Sequence, residues 1–102
     1  MTRITAVTTL VAHEGRFDEL LEAVDDMVAA AGAEDGTEAY VVSSARRSPD
    51  TLLLFEMFRD HAALKAHQAA GAGLTERLGP LLARTEIQFG ELVGGTGLGV
   101  AG

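Results

Sequence analysis

Three side chains of this sequence have the type and position to move a proton on a bound molecule: His67, Glu56 and Tyr40. Imidazole titrates nearest neutrality, so it exchanges protons without a large perturbation of its environment. His67 follows Leu64 by three positions in a helix-forming run, which puts both on one helix face. If Leu64 turns toward a core, the imidazole turns inward with it. That placement suits a core histidine held by one hydrogen bond, and equally a base or substrate-orienting group in a pocket. His13, in a turn, and His61, at a helix start, read as surface residues. Glu56 is the one charge in the run Leu52-Leu53-Leu54-Phe55-Glu56-Met57-Phe58. A buried carboxylate needs a partner or it takes up a proton. Glu56 therefore makes a structural hydrogen bond or ion pair, or it orients His67 or meets a ligand. Tyr40 is the only tyrosine, in the middle of a strand-like segment, and its hydroxyl needs a polar neighbour or a ligand.

Other chemistries are excluded by what the chain lacks. With 0 Cys there is no disulfide, thiolate nucleophile or cysteine-based metal site. The three histidines lack zinc-ligand spacing, and the acids between Asp18 and Glu38 read as a solvated helix face. No nucleophile elbow or dinucleotide loop is present. The glycines from Gly94 to Gly99 resemble a phosphate loop in number only, because no helix follows. No bound metal, flavin or haem is therefore expected. A net charge of -7 and a pI near 4.7 argue against nucleic-acid binding. The N-terminus lacks the apolar core of a signal peptide, and no apolar run approaches a membrane span, so the expected location is cytoplasmic.

The elements that must position these residues follow from periodicity. Residues 3–12 are rich in β-branched types and read as a strand. His13-Glu14-Gly15 is a turn. Phe17, Leu20, Leu21, Val24, Met27, Val28 and Ala31 recur at helical spacing, with Gly32 as a stop. A second strand spans 38–46, turn chemistry falls at Ser48-Pro49-Asp50, and a third strand runs from Thr51 to Phe58. Asp60 is a suitable cap for a helix over 61–68, which Gly71 and Gly73 interrupt. A further helix carries Leu74, Leu78, Leu81 and Leu82, disturbed at Gly79-Pro80, and a fourth strand covers 85–93. The pattern predicts one domain over 1–95 and a flexible Gly-rich tail over 96–102.

The order β-α-β-β-α-β specifies an α+β fold of ferredoxin-like type, with helices on one face of a four-stranded antiparallel sheet. Strand three is apolar at six of seven positions from Leu52 to Phe58, and neighbouring strand residues point to opposite faces. Two helices cover one sheet face. The simplest cover for the other is a second copy of the chain, so a homodimer through the sheet face is expected.

Four stretches together resemble the antibiotic biosynthesis monooxygenase family. They are His13-Glu14-Gly15-Arg16-Phe17-Asp18-Glu19-Leu20, Gly36-Thr37-Glu38-Ala39-Tyr40, Pro80-Leu81-Leu82 and, most distinctively, the run from Phe55 through Glu56, Phe58, Asp60, Ala62, Ala63 and Leu64 to His67. The resemblance covers about residues 3–93. It implies a dimeric α+β barrel with a ligand pocket inside each protomer, between sheet and helices. It implies His67, Glu56 and Tyr40 as the catalytic set, and Phe58, Leu64 and Phe55 as substrate contacts. Activities in the family include cofactor-independent oxygenation of phenols and quinols, haem degradation, and isomerisation of a small sugar phosphate. The haem-degrading branch uses an Asn and a Trp, and this sequence contains neither. Phe58 stands where Trp is common. The resemblance thus implies a cofactor-independent monooxygenase acting with O2 on an electron-rich phenol, quinol or polyketide-like aromatic. The alternatives are a non-catalytic small-molecule binding protein and an isomerase of a small polar metabolite. An apolar pocket favours the first, a pocket filled by side chains the second, and a pocket with cationic residues the third.

Overall fold

The computed structural model describes residues 2–97. The chain runs β1 (Ile4–Ala12), α1 (Phe17–Gly32), β2 (Thr37–Ser44), β3 (Thr51–Phe58), α2 (His61–Ala70), α3 (Ala72–Leu78) and β4 (Leu82–Glu91), with a 3-10 turn at Gly79–Leu81. The four strands form one antiparallel sheet in the order β2-β3-β1-β4. This is the ferredoxin-like α+β arrangement expected from the sequence.

Alternation along the two central strands sorts their side chains. Ala6, Thr8, Leu10 and Ala12 of β1 and Leu52, Leu54, Glu56 and Phe58 of β3 are buried beneath the helices. The main core joins Leu10, Leu52 and Leu54 to Leu20, Ala23 and Val24 of α1 and to Leu78 and Leu81. Each leucine and valine among them contributes roughly 1.5–3 kcal/mol on leaving water. A smaller cluster of Phe58, Ala63 and Leu64 anchors α2 against the end of β3. The opposite face carries exposed apolar side chains near its middle, flanked by Thr5, Thr9 and Ser43. Val7 and Val41 are 56% exposed and Leu53 is 40% exposed. Phe55 pairs with Val7 on one side and Val41 on the other, so the three form a row across the sheet.

Element ends follow local chemistry. The Asp60 side chain accepts from the Ala63 N–H at 2.8 Å and so opens α2. Gly15, at φ 79°, makes the turn into α1. The α2–α3 break falls at Gly71 alone, while Gly73 lies within α3 with open space around its Cα. The fourth strand begins at Leu82, three residues before its expected start, because the Gly79-Pro80 turn ends the helix and leaves the chain extended there. The second strand spans Thr37–Ser44, one residue earlier than expected at its start, and Arg47 at φ 66° contributes to the turn that follows. The expected flexible tail lies, from Leu98 onward, outside the described residues. Among the described residues no helix is long and apolar enough to cross a membrane.

Candidate active site

A cavity of about 640 Å³ lies between the helices and the inward face of the sheet. Met27 and Ala30 of α1, Leu64 of α2, Leu74 and Leu78 of α3, and Leu10 and Leu54 of the sheet give it a mainly apolar wall. Its titratable lining residues are Glu34, Tyr40, Glu56 and His67, and neither Lys nor Arg is among them. On β4, Ile87 and Phe89 border the cavity and remain 52% and 48% exposed.

His67 is the hub of the polar end. Leu64 and His67 share the sheet-facing side of α2, as the three-residue spacing predicts. The imidazole stacks at a tilt on Phe58, with ring centroids 4.9 Å apart, and faces Tyr40 at 5.8 Å. Its Nδ1 lies 2.6 Å from Glu34 Oε1, and its Nε2 lies 3.4 Å from Glu56 Oε1. A carboxylate oxygen accepts, so a hydrogen on Nδ1 satisfies the shorter contact and one on Nε2 the longer. Thr37 Oγ1 donates to the same Glu34 oxygen at 2.6 Å, and Thr8 Oγ1 donates to Glu56 Oε2 at 3.4 Å. Glu56 is 7% exposed and has thereby found the partners that a buried carboxylate requires.

These contacts fix the proton affinities. The hydrogen bond with Glu56 raises the His67 pKa above the ordinary histidine value, burial opposes it, and the hydrogen bond with Glu34 raises it further. Glu56 is the more deeply buried of the two carboxylates, so its charge is less screened by water despite the longer contact. The Tyr40 hydroxyl moves the same way for a different reason. Burial pushes its pKa well above that of an ordinary phenol, and the charges of Glu56 and then Glu34 add to the effect. Tyr40 therefore stays a neutral donor at the cavity wall.

The structure brings His67, Glu56, Tyr40 and Leu64 together around one cavity. Phe58 has a different position from that of a substrate contact: at 0% exposure it is buried behind the imidazole and supports it. Phe55 is corrected. It neighbours Glu56, so strand alternation turns it to the outer sheet face beside Val7 and Val41, away from the cavity. Glu34 is the cavity-lining carboxylate that sequence reasoning missed. It was grouped with the solvated acids of α1, yet it follows the helix end and enters the site. Its position two residues before Gly36 is the one available signal.

How Glu34 reaches His67 is visible in the backbone. A methyl group on Gly36 would collide with the Ala63 side chain, so glycine lets the 33–36 loop lie directly on α2. The Arg59 N–H also donates to the Gly36 carbonyl at 2.9 Å. Ala63 and His67 are one helical turn apart on the same side of α2, and the loop that rests on the first delivers Glu34 to the second.

Residues 3–72 match the family model described as antibiotic biosynthesis monooxygenase. The chain belongs to this family. The matched segment contains His67, Glu56, Tyr40 and Glu34. Solved structures agree on the fold. A Mycobacterium tuberculosis protein is 21% identical at a TM-score of 0.86, over 92% of this chain and 98% of that one. A Pseudomonas aeruginosa protein is 27% identical at 0.83, over 92% and 97%. A Caulobacter crescentus protein, described as a candidate antibiotic biosynthesis monooxygenase, is 21% identical at 0.84, over 91% and 92%. No curated protein matches this chain. Among the described residues, no three His, Cys, Asp or Glu side chains converge closely enough to hold a metal ion.

Proposed function

We propose that this family member is a cofactor-independent monooxygenase of an electron-rich phenol or quinol, with His67 as the base. The observation that carries this reading is the imidazole set between two carboxylates in the wall of a mainly apolar cavity. The apolar body of an aromatic substrate fits the walls from α1 and α3. Its hydroxyl is directed to the cluster of His67, Glu56 and Tyr40, where the titratable groups gather. The absence of Lys and Arg from the described lining disfavours a phosphorylated or carboxylated metabolite, and the open volume disfavours a binding fold filled by its own side chains.

In the proposed step the hydroxyl proton passes to His67 Nε2, and Glu56 stabilises the imidazolium that forms. The deprotonated aromatic supplies the electrons to O2. One oxygen atom enters the ring, the other leaves as water, and a phenol plus O2 gives a quinone plus water. Tyr40, kept neutral, donates to the oxygen anion as charge develops. Phe58 holds the imidazole plane, and the apolar walls exclude competing water.

The protein is further proposed to act as a homodimer through the outer sheet face, where Val7, Phe55 and Val41 form an apolar row. This reading is supported by the exposure of Val7, Val41 and Leu53 in the protomer. A cytoplasmic location accords with the use of a diffusible substrate and O2.

The test is oxygen uptake against a panel of quinols and polyketide phenols. His67→Ala is expected to lower turnover by ~100-fold or more while circular dichroism stays that of the folded protein. Because the His67 pKa is raised, kcat/KM should climb with pH through a midpoint above the ordinary histidine value of about 6.5. Wild-type turnover in the folded variant would end the base assignment.

A further inference from the structure

We propose that Glu34 is the positioning residue of this site: it holds His67 in the Nδ1–H tautomer and so commits Nε2 to proton exchange with the cavity. The inference rests on the reading of His67 as the base, and it assigns a role to a loop carboxylate outside the three-residue set. Two of Glu34's contacts converge on one oxygen. His67 Nδ1 and Thr37 Oγ1 both lie 2.6 Å from Oε1. The threonine fixes where that oxygen sits, and the oxygen then selects which imidazole nitrogen keeps its hydrogen. A neutral imidazole has one N–H and one lone pair, so fixing the hydrogen on Nδ1 leaves the lone pair on Nε2.

The lone pair then faces Glu56 Oε1 at 3.4 Å. Two electron-rich atoms at that separation gain by placing a proton between them. The site is thus primed to take a proton from whatever hydroxyl approaches Nε2. Without Glu34 the hydrogen would be drawn to Nε2 by Glu56, and no basic nitrogen would face the cavity. The groups that face the imidazole are Glu34 from the loop after α1, Glu56 from β3, and Tyr40 and Phe58 from β2 and β3. Of these, Glu34 alone contacts Nδ1, which makes its removal a clean perturbation.

The tautomer is read directly by imidazole proton–nitrogen correlation in nitrogen-15-labelled protein without substrate. Signals of the other two histidines are subtracted with a His67→Gln sample. Wild-type His67 should show a protonated Nδ1 and a bare Nε2 above its titration midpoint. Glu34→Ala should move the hydrogen to Nε2 and lower that midpoint. Glu34→Gln keeps an acceptor oxygen and loses the charge, so it should retain the Nδ1–H form with a lowered midpoint. That isosteric variant decides the matter if the alanine variant fails to fold. An Nε2–H form in the wild type overturns the proposal. So does a wild-type tautomer and midpoint in both variants, the result expected of a residue that only packs. Because the measurement uses neither substrate nor O2, a protein that takes up no oxygen but shows these shifts would sink the oxygenase reading alone.

Discussion

Along β3, Leu52, Leu54, Glu56 and Phe58 point at the helices, while Leu53, Phe55 and Met57 point away. The inward set builds a core around a single carboxylate. The outward set is apolar throughout: Leu53 and Phe55 lie by exposed Val7 and Val41, while Met57, beside Thr5 and Ala39, is itself 0% exposed. Hydrophobicity alone marks both faces as surfaces to be covered. What separates them on β3 is the polar residue: only the inward face holds a group whose burial demands a partner, met by Thr8 and by His67, which in turn contacts Glu34. A strand can therefore be equally greasy on both sides while one side builds a site and the other presents an apolar surface.

The largest expected effect tests the inward face. Phe58→Ala removes a ring with 0% exposure that packs on Leu64, Ala63 and the imidazole. It should cost about 3–5 kcal/mol by urea denaturation. A loss near zero would mean that the inward end of β3 is not core. The outward face is tested by Phe55→Glu. A charge in the middle of the apolar row should weaken the proposed self-association by on the order of 100-fold in sedimentation, with far-ultraviolet dichroism unchanged. A variant that unfolds instead would erase the distinction between the faces.

Smaller effects sharpen the contrast. Glu56→Leu replaces the one inward charge by an isosteric apolar group. Its stability change should be about 1–3 kcal/mol, because the Thr8 hydroxyl loses its acceptor while His67 keeps Glu34 as a partner. Turnover should also fall, since Nε2 loses its counter-charge. The smallest effect is on stability against pH. The folded His67 pKa is raised, so its stabilising contribution is complete below the unfolded value of about 6.5 and is lost as pH rises through the higher folded value. The gap in melting temperature between wild type and His67→Gln should be widest just below pH 6.5 and narrow above it. A gap that widens with pH would reverse the assigned direction of the shift.

Much of this was legible in the sequence, and the limits are physical. The two-faced β3 and the Leu64–His67 spacing were readable because strand alternation and helical repeat are local. So was the Asp60 cap, which rests on the residues just after it. Phe55 shares the family motif with Glu56, yet the alternation that places Glu56 inward turns Phe55 to the outer face. Glu34 was invisible for another reason. Its contact with His67 spans 33 residues of chain and depends on how closely a loop approaches a helix, which no periodicity encodes. The β2 register shift between Thr37 and Ala39 is equally silent in a linear pattern.

The contact of Gly36 with Ala63 has a consequence for anyone who would alter what this protein accepts. Positions 36 and 63 form one steric unit: a larger residue at either end lifts the loop and carries Glu34 off the imidazole. A library that varies them would damage the machinery before it tested a new substrate. Met27 and Leu74 line the same cavity from α1 and α3 and are not among the buried core residues, unlike Leu78. Diversity placed there would reshape the volume while leaving the proton-handling end intact, which separates the evolvable part of the cavity from the part that must be inherited whole.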